Sequence, residues 1–99
     1  MAPKILDEDG NEVYGTGFVD RGYAVKVGIS GYARTLRGAM EDPRVAGNPL
    51  VVRGIRAIGA NKADIVISNS DAKKVHLAAR AADFLKECRV MIVVGEKER

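Results

Sequence analysis

The sequence predicts an α+β fold: a small two-layer sandwich in which a mainly antiparallel sheet carries helices on one face, with a ferredoxin-like or related topology. Three observations predict it. Leu50–Ile58, Asp64–Ser68 and Arg89–Val94 are apolar, β-branched runs of strand length. Between the last two lies a segment with apolar residues at helical spacing. Near the start, Asp9-Gly10 sits between two short apolar pairs, and Asp-Gly favours a tight turn because Gly accepts positive φ.

Taken in chain order, Ile5-Leu6 and Val13-Tyr14 flank the acidic turn Asp7–Glu12 and read as a short hairpin, and Gly15-Thr16-Gly17 then breaks the regularity. From Asp20 to Met40, Tyr23, Ala24 and Val27 share one helical face, and Tyr32, Leu36, Ala39 and Met40 share another. Gly28 and Gly31 lie between the two sets, and each weakens a helix interior by about 1 kcal/mol relative to Ala. Two short helices kinked at these glycines fit better than one long helix. Asp42-Pro43 ends the second, since the residue before proline is driven out of the α region.

Gly47-Asn48-Pro49 is a loop. In the strand that follows, Val51, Arg53 and Ile55 share one face while Val52, Gly54 and Arg56 share the other. That imperfect alternation implies one partly covered face. Gly59–Lys62 makes the return, and Asp64–Ser68 pairs back antiparallel. Asn69, Ser70 and Asp71 signal a helix N-terminus, where short polar side chains satisfy orphan N–H groups and Asp71 meets the positive end of the dipole. The helix from Asp71 to about Lys86 turns Ala72, Val75, Ala78, Ala79, Ala82 and Leu85 inward. Val90–Val94 is a continuous apolar run, as in a strand covered on both faces, and a polar tail follows from Gly95.

The 99 residues make one domain, 1–99, with room for a single core. Aromatics are few and Trp is absent, so that core is aliphatic. A net charge of +3 is modest and speaks to solubility before partners. No run approaches the roughly 18 apolar residues of a membrane span. The single Cys88 excludes an internal disulfide and any multi-cysteine metal site, and it opens an apolar strand as a buried structural thiol would.

Candidate chemistry is sparse. The acidic turn suggests calcium, but an EF-hand loop needs Gly sixth and Glu twelfth; counted from Asp7 these places hold Glu12 and Phe18. Gly15-Thr16-Gly17 lacks the third glycine of a dinucleotide fingerprint, Asp20 standing in its place. His76 is the only histidine, at the polar border of its helix, and a dyad with Cys88 would need two separate elements to meet. No catalytic residue, metal ligand or cofactor is assigned. Arg34, Arg37, Arg53 and Arg56, with Arg44, form the one set worth following. If the helix near 32–41 packs on the strand at 50–58, they converge into a face for anionic groups or a protein partner. Specific nucleic-acid binding is disfavoured because the strands lack stacking aromatics beyond Tyr14.

Three blocks carry a resemblance: Pro3-Lys-Ile-Leu-Asp-Glu-Asp-Gly-Asn-Glu-Val-Tyr-Gly15; Arg44-Val-Ala-Gly-Asn-Pro-Leu-Val-Val52; and Asp64-Ile-Val-Ile-Ser-Asn-Ser-Asp-Ala72 with Phe84-Leu-Lys-Glu-Cys-Arg-Val-Met-Ile-Val-Val94. They resemble the C-terminal module of uncharacterised bacterial envelope proteins, lipoprotein-like and related to flagellar-assembly accessory proteins. The resemblance implies a piece of a longer, exported protein in the periplasm or cell envelope. It also implies a sheet edge left unpartnered here, because an apolar strand precedes the first block in such proteins. It brings no activity and no catalytic residues. The resulting expectation is a non-enzymatic interaction or assembly module that meets a protein partner, or itself, through a sheet edge. A small-ligand or polyanion binder using the arginine-bearing face is the alternative, and a cytosolic enzyme stands third.

Overall fold

The computed structural model describes residues 3–45, 49–59, 64–82 and 84–94. Strands β1 (Ile5–Leu6) and β2 (Glu12–Tyr14) form the expected antiparallel hairpin, and a 3-10 turn at Thr16–Phe18 follows. Then come helix α1 (Arg21–Val27), strand β3 (Gly31–Ala33), helix α2 (Leu36–Glu41), strand β4 (Gly54–Ile58), strand β5 (Asp64–Ile67), helix α3 (Asn69–Ala81) and strand β6 (Met91–Val93). The class is α+β, with a four-stranded sheet in the order β2-β1-β5-β4 and a separate two-stranded sheet, β3-β6. In the larger sheet β1–β2 and β4–β5 are antiparallel and β1–β5 is parallel. Among the described residues, no helix is long and apolar enough to cross a membrane.

The hairpin closes as its residues dictate. Gly10 takes φ 86°, and the Asp7 carboxylate accepts from the backbone N–H groups of Asp9 and Asn11 at 2.9 and 2.8 Å. Burial works to raise the Asp7 pKa, but hydrogen bonds from Asn11, Asp9 and Gly10 outweigh it, so the carboxyl lies below its ordinary 3.8. The turn also docks on the next layer. The backbone N–H of Glu8 donates to Asn69 Oδ1 at 2.9 Å, and the backbone N–H of Asn69 donates to Glu8 Oε2 at 3.0 Å. A carboxylate thus meets the first N–H of α3, at the end that favours negative charge. The acidic run that suggests a cation loop is a helix-capping turn.

A register shift lies between Ile5 and Leu6 opposite β2, so Val13 is the extra residue between Glu12 and Tyr14. A bulge turns side chains that strict alternation would separate, and here Val13 and Tyr14 are both buried. They join Ile67, Ala72, Val75 and Leu85 in the core between the large sheet and α3. Ser68 caps α3, accepting from the Asp71 N–H at 3.0 Å. The helix stops at Ala81, earlier than its apolar spacing implies: Ala82 is extended and exposed, and Leu85 reaches the core from the turn at 84–88.

Two expectations require correction. The glycines between α1 and α2 do not kink a helical pair; they bracket β3. Gly28 ends α1 at φ 81°, its N–H donating to Ala24 O at 3.0 Å. At Gly31 the Met91 and Arg44 side chains pack into the space a Cβ would take, which would stand 2.5 Å from Met91 Sδ and 3.2 Å from Arg44 Nε. β3 lies parallel beside β6, with Tyr32 opposite Ile92. The last strand therefore leaves the main sheet, and the topology is a related α+β arrangement rather than the ferredoxin-like one. Nor is that strand covered on both faces, since Ile92 is buried while Val93 and Val94 are exposed. The expected return pairing of β4 on β5 is present. The loop at 47–48, the return at 60–62 and the tail from residue 95 lie outside the described residues.

Arg44 fastens this second layer. Its Nη1 donates to Cys88 O at 3.0 Å and to Gly28 O at 3.3 Å, and its Nη2 donates to Val27 O. One planar cation with donors along two edges thus satisfies the end of α1 and the turn before β6 together. Its own backbone N–H is held by Asp42 Oδ1 at 2.8 Å. Charge-assisted bonds of this kind are worth about 1.5–3 kcal/mol each when buried, and this site is only partly buried. Arg44→Ala is therefore expected to lower the unfolding free energy by about 2–3 kcal/mol in urea titration. Arg44→Lys should recover little, because an ammonium cannot span three carbonyls.

A second outcome concerns acid. Because the folded-state pKa of Asp7 is depressed, its stabilisation is complete above the ordinary carboxylate value and fades as pH falls through the lowered value. Urea midpoints should fall with pH below about 4 in the wild type and fall less steeply in Asp7→Asn, which is less stable at neutral pH.

Candidate functional site

β4 is an edge strand, and all five of its residues are exposed. Its pairing with β5 shifts between Gly54 and Arg56: Gly54 lies opposite Ile67 and Arg56 opposite Val66, leaving Ile55 as the extra residue. Both Ile55 and Arg56 border one cleft. That cleft, about 710 Å³, opens between the β4 side of the large sheet and the layer holding α2 and β6. The sheet contributes Ile5, Ile65 and Ile67 to its lining, and the opposing layer contributes Leu36, Met40 and Ile92. Leu50, Val51 and Ile55, each about half exposed, belong to the same surface.

Among the described residues, the lining is apolar apart from Tyr14, Arg56 and Arg89. Tyr14 is occupied, donating to Ile29 O at 2.6 Å and so tying the large sheet to the segment before β3. Burial first, and then the Cys88 thiol beside it, push the Tyr14 hydroxyl well above its ordinary value of 10.0, while Arg44 pulls the other way. Arg89 is paired, its Nε standing 3.1 Å from Glu87 Oε1. Arg56 has no ion-pair partner among the described residues.

The sequence-derived arginines have separate placements. Arg34 is exposed between β3 and α2. Arg37 is exposed on α2 and lies 3.7 Å from Glu41, one turn away, an arrangement worth little at such exposure. Arg53 is exposed just before β4. Arg56 alone of these four lines the cleft. Arg44 is drawn inward as a structural fastener. The expected packing of α2 on the strand at 50–58 is replaced by separation: α2 contacts β3 and β6, and it faces β4 across the cleft. Sequence reasoning missed Leu36 and Met40 as cleft residues. Their helical spacing is that of a core face, and nothing local reveals that only Ala39 among them is buried.

His76 is exposed on α3, in a shallow groove with Lys73, Leu77 and Arg80. Cys88 is fully buried, in a turn at φ 58°, and neither residue lines the cleft. A left-handed non-glycine residue costs on the order of 1 kcal/mol. The turn holds it through the Cys88 N–H to Leu85 O at 3.1 Å and through the Arg44 bond to its carbonyl. A soluble disulfide reagent should therefore label Cys88 only as fast as the surrounding structure opens, with a rate that climbs steeply in sub-denaturing urea.

A family described as Treponema pallidum Tp0624, second domain, matches residues 1–96 of the chain. No curated protein matches it.

Proposed function

We propose that this chain, which belongs to the family of the second domain of Treponema pallidum Tp0624, is a non-enzymatic protein-interaction module. In this reading the cleft receives an extended apolar segment of a protein partner, which pairs with β4 as an added strand. The observation that carries the reading is the conjunction at β4: an edge strand with every residue exposed, bordering an apolar cleft of about 710 Å³. Main-chain bonds at such an edge supply affinity, and alternate side chains entering an adjoining pocket supply selectivity. Four half-exposed side chains, Leu36, Leu50, Val51 and Ile55, then find cover that this chain does not itself provide.

The lining supports binding over catalysis. Among the described residues it holds no carboxylate, imidazole, thiol or aliphatic hydroxyl to serve as a general base or nucleophile. A place in the bacterial envelope is part of the same proposal, resting on the resemblance of the three sequence blocks. As in the protein whose second domain names the family, the module would work beside other domains.

The test uses a neutral strand-forming peptide, acetyl-Thr-Val-Gln-Val-Gln-Val-Thr-amide, titrated into labelled protein with amide exchange and chemical shifts as readout. Binding should protect amides within Gly54–Ile58 and shift Leu36 and Met40, and Ile55→Asp should abolish both effects. Because Ile55 is about half exposed, that variant should keep its stability within about 1 kcal/mol. Shifts confined to other surfaces, or binding indifferent to Ile55→Asp, would refute the reading.

A further inference from the structure

From the charge of the cleft we infer the chemistry of the segment it receives: the segment carries an acidic side chain that pairs with Arg56, and it comes from another protein rather than from a second copy of this chain. The inference rests on the β4 reading above and goes further by naming the partner's sign of charge.

Among the described residues, the two charged ones of the lining, Arg56 and Arg89, are both cations. Arg89 already has Glu87 at 3.1 Å, so its charge is largely answered from within. Arg56 is not answered among the described residues. It occupies the middle of β4, at the irregularity in the pairing with β5, on the rim of the cleft. A strand laid along β4 would place one of its residues opposite Arg56, within the spacing at which cross-strand charges attract or repel. The cleft that borders that position is lined mostly by apolar residues. A carboxylate fits there, offering two acceptors to a guanidinium with paired donors.

The same position argues against self-pairing. A two-fold antiparallel association centred on β4 would set Arg56 of one copy against Arg56 of the other, since Arg56 is the central residue of Gly54–Ile58. Like charges directly opposite each other destabilise a strand pair. An arginine on an exposed edge is thus both a guard against like edges and a selector for an acidic one.

The experiment compares three peptides on the wild-type chain: the neutral peptide above, its glutamate analogue with both Gln replaced by Glu, and its lysine analogue. At low salt the glutamate peptide is expected to bind at least about tenfold more tightly than the lysine peptide, with the neutral one between. Arg56→Gln should remove the discrimination while leaving neutral-peptide binding in place. Arg80→Gln, the same charge change on the exposed side of α3, should leave the discrimination intact. Raising the salt should narrow it in the wild type. Equal affinities for the three peptides, or discrimination that survives Arg56→Gln, would overturn the charge inference while the β4 reading stands. Failure of all three to perturb Gly54–Ile58 would instead remove the reading beneath it. Sedimentation equilibrium that finds a dimer dissolved by Ile55→Asp would overturn the choice of a foreign partner.

Discussion

Everything on the far side of the large sheet depends on how one guanidinium is used. Arg44 gathers the carbonyls of Val27, Gly28 and Cys88, which belong to chain segments far apart in sequence. By holding the end of α1 against the turn before β6, it brings the start of β3 beside the start of β6. Gly31 stands opposite Met91 there, and the Met91 and Arg44 side chains fill the space beside it. Parallel strands cannot be joined by a tight hairpin, so such a pair needs its ends fixed from elsewhere. Arg44 and the Tyr14 hydroxyl, which reaches Ile29 O from the large sheet, supply that fixing.

The two irregular strand pairings serve opposite ends. At β2 the extra residue lets Val13 and Tyr14 both turn into the core, so three residues of strand bury two large side chains. At β4 a similar shift leaves Ile55 and Arg56 exposed on the rim of an open cleft. The difference is what stands opposite. α3 covers the hairpin side, docked there by the Glu8–Asn69 exchange. The β4 side faces α2 and β6 across a gap, because those elements are committed to each other and to β3. An apolar face left open while its neighbour is sealed is where a partner gains most from burial.

Short-range chemistry made a good part of this legible. Asp9-Gly10 is a turn for the reason Asp-Gly usually is, and Ser68 to Asp71 begins a helix because a hydroxyl can accept from a free N–H there. The antiparallel match of Leu50–Ile58 with Asp64–Ser68 could be read from two β-rich runs and a short return, although the strand proper begins only at Gly54. The site was less legible. Arg56 stood among five arginines of equal claim, and its neighbours in sequence do not distinguish it from Arg53 or Arg44. Leu36 and Met40 carry the spacing of buried residues yet lie open, because spacing states which face is apolar and not whether another element covers it.

From its own residues the chain determined the α+β class, the acidic hairpin turn, the capped alanine-rich helix and the β4–β5 pairing. Each of these is decided within a few residues or across one short connection, where backbone conformation and side-chain spacing act directly. The tertiary structure alone decided that Met91–Val93 joins β3 instead of the main sheet, that Arg44 turns inward as a fastener, and that α2 and β4 stand apart with a cleft between them. Those outcomes are settled by contacts between distant segments, and such contacts depend on the geometry in which three carbonyls meet one cation.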